Sequence, residues 1–84
     1  MTLRTLLELN LGESATVAHF SSQLVRDIEL VTQLRALGLC EGARVLLIRR
    51  APWLGPLHVR IDDSIELAVA RAIAGELTVA KDPS

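Results

Sequence analysis

The chain has 84 residues, half of them hydrophobic and 23% charged, and its formal net charge is -1. A chain of this length forms one domain with a small core, because folding buries only about 60–65% of the surface of so short a polypeptide. Neither sign of charge is gathered into a long block, which argues against a basic face for binding nucleic acid.

The first predicted element is a short helical turn near the N-terminus. Residues 5–8 read Thr-Leu-Leu-Glu, which fits a capping box: the Thr5 hydroxyl accepts from a helical amide, and the Glu8 carboxylate accepts from the Thr5 amide. A β-prone run follows at residues 15–20, Ala-Thr-Val-Ala-His-Phe. It predicts the first strand.

The longest predicted element is a helix over residues 24–37, with Ser21 or Ser22 as its N-cap. Its apolar residues recur at steps of three and four, which places them in one stripe along the helix. The stripe consists of Leu24, Ile28, Val31, Leu34 and Leu37. Gly38 suits the left-handed position after the last turn, and Leu39 can fold back on the helix as in a Schellman motif.

A second strand is predicted at residues 43–51, after a tight turn at Glu41 and Gly42. Val45 and Leu47 are expected to face the core. The residues between them are also apolar, so the alternation is blurred and we expect the other face of this strand to be covered as well.

The parity of apolar residues fixes the register of the next hairpin. A three-residue loop at residues 62–64 places the apolar residues of both strands on one side. The predicted pairs are Leu57 with Val69, Val59 with Leu67, and Ile61 with Ile65. Arg60 then faces Glu66 on the outer side, whereas a two-residue loop would place Glu66 opposite Val59.

The remaining residues predict one helical or 3₁₀ turn at residues 70–75, a closing strand at residues 76–80 with Leu77 and Val79 inward, and a solvated tail at residues 81–84. The predicted fold is therefore mainly β, with five short strands and one substantial helix between the first and second strands. Closing this sheet into a small barrel would remove its edges.

One ordered series of residues in the middle of the chain carries a family resemblance. A helix is followed by Leu-Gly-Leu-x-x-Gly-x-x-Val and then by a loop with Ala-Pro at its start and Pro at its end. The residues in these places are Leu37, Gly38, Leu39, Gly42, Val45, Ala51, Pro52 and Pro56. The series resembles the FeoA family, and a weaker resemblance extends over most of the chain. It implies a single SH3-like barrel over residues 1–84.

The resemblance also implies a function. FeoA-like chains are cytosolic accessories of bacterial ferrous-iron uptake, so the implied partner is the membrane ferrous-iron transporter with its cytosolic GTP-binding region. Whether the chain forms a homo-oligomer, with or without a bridging metal, is left open. The alternative is an SH3-like regulatory domain related to those of metal-dependent transcriptional repressors, although the chain lacks a helix-turn-helix and a basic recognition face.

The residues that could carry chemistry are too few to predict an enzyme. His19 and His58 are the only imidazoles and Cys40 is the only thiol, so a nucleophilic dyad or a zinc site lacks ligands. Asp62 and Asp63 fit a turn rather than a catalytic pair. We predict no catalytic residue, no cofactor and no tight preformed metal site, with His58 on an exposed strand face and His19 partly buried.

The sequence also predicts the compartment. A lone cysteine cannot form an intrachain disulfide, which favours a reducing environment. We find neither a signal peptide nor a run of about 18–20 apolar residues that could span a membrane. We expect a cytoplasmic protein without direct membrane insertion, so any role at the membrane requires a membrane-embedded partner.

The loop at residues 51–56, Ala-Pro-Trp-Leu-Gly-Pro, is the candidate partner-binding site. Its two prolines stiffen it, and Trp53 and Leu54 put apolar area where most loops are polar. Arg49 and Arg50 flank it, and these four residues form the predicted contact surface. The alternative, that Trp53 folds back as a lid over the core, stays open. The family's usual Leu-Gly-Asp-Pro is replaced here by Trp-Leu-Gly-Pro.

Overall fold

The computed structural model describes residues 3–81. Within them, six strands form one antiparallel sheet in the order β1-β6-β2-β3-β4-β5. The strands are β1 (Leu3–Thr5), β2 (Ser14–Phe20), β3 (Arg44–Arg50), β4 (Leu57–Ile61), β5 (Ile65–Val69) and β6 (Leu77–Lys81). The helical segments are a 3₁₀ turn at Leu6–Glu8, α1 (Ser22–Val25), α2 (Ile28–Ala36) and α3 (Arg71–Ala74).

The prediction of five strands is wrong, because the sheet contains an additional strand at its start. β1 pairs with β6, with Leu3 opposite Ala80 and Thr5 opposite Thr78. Three residues are too few to show an alternating pattern in the sequence. β1 and β5 stand at the two ends of the strand order, so the part of the sheet that the structure describes has two edges. The predicted closure that would remove them is also wrong.

The predicted single helix is two helices. Ser21 caps α1 as predicted, its Oγ accepting from the Leu24 amide at 3.0 Å. The chain then leaves the helical path at Asp27, where φ is -89° and ψ is 83°. The Asp27 Oδ1 accepts from the Leu30 amide at 3.1 Å and starts α2. A side-chain cap of this kind offers the backbone an alternative to continuing the helix.

The break changes which apolar residues are buried. Leu34 is buried, and Leu30 and Val31 pack against the core. Ile28 is 75% exposed and Leu37 is 41% exposed, so the predicted stripe is wrong at these two positions. One continuous stripe requires one continuous helix, and the cap at Asp27 interrupts it.

The C-terminus of α2 follows the predicted Schellman motif. The Leu39 amide donates to the Leu34 carbonyl at 2.9 Å, and the Gly38 amide donates to the Arg35 carbonyl at 3.0 Å. Gly38 has φ of +95°, a conformation that is strained for residues with a Cβ atom. The Leu39 side chain is fully buried, which fixes the direction in which the chain leaves the helix.

The hairpin of β4 and β5 has the predicted register. The observed pairs are Leu57 with Val69, Val59 with Leu67, Arg60 with Glu66, and Ile61 with Ile65. The burial of β5 differs from the prediction at Ile65, which is 45% exposed. β5 is the last strand of the sheet, so no further strand covers that side of Ile65.

The remaining elements agree with the sequence prediction. The 3₁₀ turn begins at the predicted capping box, in which the Thr5 amide donates to the Glu8 carboxylate at 3.4 Å. α3 is the predicted helical turn, and Leu77 and Val79 of β6 are fully buried. Of the predicted tail, Lys81 belongs to β6, and residues 82–84 lie outside the described residues.

The core is aliphatic apart from Phe20. Across residues 3–81, no polar or charged residue is buried. The largest core residues without exposed surface are Leu6, Leu9, Leu39, Val45, Leu47, Leu57, Val59, Leu77 and Val79. None of the helices in this part of the chain is long and apolar enough to cross a bilayer.

Candidate partner-binding loop

A β-bulge in β3 decides where the two arginines before the loop point. Leu47 pairs with Val59, but Arg49 pairs with the next residue of β4, His58. The ladder therefore contains one additional residue between Leu47 and Arg49. Strict alternation from Leu47 would have turned Arg49 towards the core. The bulge instead leaves Arg49 exposed on the outer face.

Arg50 lies on the core side of the sheet because of the same bulge. It pairs with Leu57, which is fully buried. Its Nη2 donates to the Leu7 carbonyl at 2.9 Å and also to the Leu9 carbonyl. Hydrogen bonds from a charged guanidinium are stronger than neutral ones. Arg50 therefore fastens the base of loop 51–56 to the N-terminal segment.

The backbone of loop 51–56 is a closed turn. The Ala51 amide donates to the Pro56 carbonyl at 3.0 Å, and the Gly55 amide donates to the Pro52 carbonyl at 3.2 Å. A Cβ atom at Gly55 would lie 2.7 Å from the Ala51 Cβ and 3.1 Å from the Pro52 oxygen. Only glycine fits this position without a shift of the loop.

The two residues at the tip of this loop have strained backbones and exposed side chains. Trp53 has φ of +59° and Leu54 has φ of +61°. The left-handed region costs an L-residue about 1–2 kcal/mol. Trp53 is 96% exposed and Leu54 is 79% exposed. Trp53 therefore does not cover the core, and the alternative of a lid is wrong.

Leu11 is a further exposed apolar residue outside this loop, which the sequence analysis did not single out. It is 62% exposed and lies in a turn whose backbone is bonded to β3. The Gly12 amide donates to the Leu47 carbonyl at 2.8 Å, and the Leu47 amide donates to the Glu13 carbonyl at 3.0 Å. Its signal in the sequence was weak, since a single leucine beside a glycine is common in turns.

The histidines and the cysteine do not form a site. His58 is half-buried opposite Ala68. The prediction that His19 is partly buried is wrong, because a register shift in β2 between Val17 and His19 leaves His19 exposed. Cys40 is half-buried, with Sγ 3.7 Å from the Gly38 carbonyl oxygen. Among residues 3–81, no group of three or more histidine, cysteine, aspartate or glutamate side chains is placed to hold a metal ion.

Among residues 3–81, two carboxylates have a lowered pKa, and both lie in ion pairs that support the fold. The Asn10 amide, which donates at 2.9 Å, and the Arg4 guanidinium lower the pKa of Glu13. The Arg35 guanidinium, whose Nη1 lies 2.7 Å from Oε1, lowers the pKa of Glu41. Arg35 also stacks over the Phe20 ring, 5.2 Å from its centroid. Neither carboxylate belongs to loop 51–56.

Comparison with protein families matches the FeoA domain over residues 4–81. The chain belongs to the FeoA family. The match spans the whole series that begins at Leu37 and ends at Pro56, so the predicted resemblance is confirmed. No curated protein matches the sequence.

Solved structures of FeoA proteins share this fold. A solution structure of FeoA from Chlorobium tepidum is 28% identical, with a TM-score of 0.82 over 95% of this chain and 71% of that chain. A crystal structure of FeoA from Stenotrophomonas maltophilia, a prokaryotic SH3 domain protein complexed with zinc, is also 28% identical. Its TM-score is 0.73, over 90% of this chain and 88% of that one.

A metal-dependent repressor contains the same fold. A manganese-dependent transcriptional repressor in complex with manganese has a TM-score of 0.84 and 21% identity. The similarity covers 98% of this FeoA-family chain but only 38% of the repressor. The SH3-like fold of this chain is therefore common to FeoA proteins and to one part of a longer manganese-dependent repressor.

Proposed function

We propose that this FeoA-family chain is a non-enzymatic module of ferrous-iron uptake, which binds the cytosolic GTP-binding region of the membrane transporter through loop 51–56. One observation carries the proposal. Trp53 and Leu54 are held in a strained conformation that exposes them, where neither contributes to the core.

The strain supports a contact role for the two residues. Glycine, asparagine or aspartate would adopt positive φ at lower cost than tryptophan or leucine. Apolar residues at such positions gain nothing for folding while they remain exposed. Burying them against a partner would offset the free energy that the backbone strain costs the unbound domain, since buried tryptophan is among the strongest anchors of protein interfaces.

The surroundings of the tip suit a preformed contact. Gly55 and the two closing hydrogen bonds hold the loop in one shape, and Arg50 holds its base. A rigid loop loses little conformational entropy on binding. The exposed Arg49 places a positive charge beside the apolar tip, which favours an acidic rim on the partner.

Modulation of the transporter would follow from differential binding. A module that binds one conformation of the GTP-binding region tenfold more tightly than another shifts their equilibrium by the same factor, or about 1.4 kcal/mol. This mechanism requires no catalytic residue and no bound cofactor in the module.

A regulatory domain of the repressor type is the second candidate, and the TM-score of 0.84 to a manganese-dependent repressor favours it. In that case the domain would contact a DNA-binding unit rather than a transporter. Binding measured against the transporter's cytosolic region and against a DNA-binding unit of the repressor type separates the candidates.

The test is a titration of the purified chain against the transporter's cytosolic region, with two matched variants. Trp53→Asn removes the anchor but accepts the positive φ, so the loop keeps its shape. We expect it to weaken binding by about 2 kcal/mol, or roughly thirtyfold. Ile28→Ala is the control, because Ile28 is 75% exposed on α2 rather than in the loop. Equal binding by wild type and Trp53→Asn would contradict the proposal.

A further inference from the structure

The two edges of the sheet are built differently. β1 has three residues and carries Arg4 at its centre, and Arg4 bonds to the Glu13 carboxylate and the Glu8 carbonyl. A short strand with a central charge resists pairing with another chain. β5 has five residues and contains no lysine, arginine or proline. Its ladder with β4 runs without a bulge.

The outer side of β5 has no partner within residues 3–81. β5 is the last strand of the sheet, and the hydrogen bonds formed outside the regular ladders include none to the backbone of residues 65–69. Ile65, Glu66 and Ala68 are exposed. The only charge, Glu66, is held at 3.0 Å by Arg60 of its own hairpin. β5 therefore lacks the usual protection of an edge strand.

We propose that β5 pairs antiparallel with β5 of a second copy of this chain, on a two-fold axis at Leu67. In this register Ile65 faces Val69 of the second copy, Glu66 faces Ala68, and Leu67 faces Leu67. Ile65, Leu67 and Val69 then oppose apolar residues, Glu66 opposes a small uncharged one, and no two charges of the same sign lie directly opposite. The strand is complementary to itself, which an interface with two-fold symmetry requires.

The other registers fit less well. An axis at Glu66 would place the two Glu66 carboxylates opposite each other, and like charges there are unfavourable. An axis at Ala68 would pair only three residues of each strand and leave Ile65 outside the ladder. The self-complementary register about Leu67 therefore favours a second copy over an unrelated strand as the occupant of this edge.

The expected dimer is weak. A five-residue edge buries less area than the roughly 1,200 Å² at which standard interfaces begin. We expect dissociation constants of about 0.1–1 mM, so that the dimer forms only at high local concentration. This proposal is independent of loop 51–56, and Trp53→Asn should leave dimerisation unchanged.

The test is sedimentation equilibrium up to about 1 mM chain, with EDTA present to remove bridging metal, on wild type and two variants at one exposed position. Ala68→Glu places a carboxylate opposite Glu66 of the second copy, and we expect it to weaken the dimer at least tenfold. Ala68→Lys adds similar bulk but an opposite charge, so it should dimerise as well as wild type or better. Both variants should unfold at the wild-type denaturant midpoint.

Three outcomes would overturn the proposal. One is a wild-type chain that stays monomeric throughout the range in EDTA, which includes a chain whose dimer requires a metal. Another is equal weakening by Ala68→Glu and Ala68→Lys, because the register predicts opposite effects of charge. The third is protection of the β5 amides from hydrogen exchange only when the transporter's cytosolic region is added, since the occupant would then be a foreign strand.

Discussion

Two turns of this domain share an unusual backbone and differ in chemistry. Loop 51–56 and the β4–β5 turn each contain two successive non-glycine residues at positive φ. In the β4–β5 turn these are Asp62 and Asp63, and the Asp62 carboxylate accepts from the Arg44 amide at 3.0 Å. In loop 51–56 they are Trp53 and Leu54, which are exposed. The β4–β5 turn uses residues that suit folding, and loop 51–56 uses residues that suit the proposed contact.

The largest expected difference in stability lies between variants of two leucines, one in loop 51–56 and the other at the start of β4. Leu57 is fully buried at the start of β4, and Leu54 is 79% exposed. Leu57→Ala should lower the free energy of unfolding by about 2–5 kcal/mol. Leu54→Ala removes the same atoms and should change it by less than about 0.5 kcal/mol. Denaturant unfolding measures both, and similar losses would show that the loop packs against the core.

The β4–β5 turn should depend on its polar side chains. Asp62→Ala removes the acceptor for the Arg44 amide and leaves a less tolerant residue at positive φ. We expect a loss of about 1–2 kcal/mol in denaturant unfolding. Asp62→Asn is the control, because asparagine keeps a side-chain oxygen and tolerates this conformation. A loss with Asn as large as that with Ala would show that the charge, rather than the turn geometry, is needed.

In loop 51–56, replacing a residue at positive φ should raise the free energy of unfolding rather than lower it. Leu54→Gly removes the strain at φ of +61° but adds freedom to the unfolded chain, so we expect a net gain of about 0.5–1 kcal/mol in the free energy of unfolding. The same change should weaken binding to the transporter's cytosolic region. A variant that is more stable but binds less well is the signature of a residue kept for contact; unchanged binding would exclude Leu54 from the contact surface.

The smallest effect concerns pH and lies outside both turns. The Arg35 guanidinium lowers the pKa of Glu41 below its ordinary value of 4.5. Since the folded pKa is the lower one, the stabilisation is complete above the ordinary value and disappears as pH falls through the folded pKa. Glu41→Gln should remove this part of the acid sensitivity, about 0.5 kcal/mol or less because both side chains are partly exposed. Unfolding curves at several pH values measure it, and an unchanged pH profile would contradict the pairing.

Local signals in the sequence predicted the parts of the fold that depend on neighbouring residues. Gly38 and Leu39 specified the Schellman motif, and the parity of the apolar residues specified the β4–β5 register. These devices involve residues close in the chain, so their patterns are complete within a short window. The series from Leu37 to Pro56 predicted the family for the same reason.

The features that sequence reasoning missed depend on single residues or on distant contacts. Asp27 breaks the helix through one side-chain hydrogen bond, although its neighbours continue the helical spacing. The bulge before Arg49 exchanges the faces of the two arginines, and no motif in β3 marks it. The predicted contact surface therefore retains Arg49, Trp53 and Leu54 on the outside, whereas Arg50 is a support for the loop.

The most direct test of the contact surface uses the fact that Trp53 is the only tryptophan in the chain. Incorporation of 5-fluorotryptophan places a single fluorine probe at the tip of loop 51–56. Titration with the transporter's cytosolic region should shift and broaden this ¹⁹F resonance in proportion to binding, and should shield it from a soluble paramagnetic agent. Saturable binding that leaves the resonance unchanged and fully accessible would contradict the account.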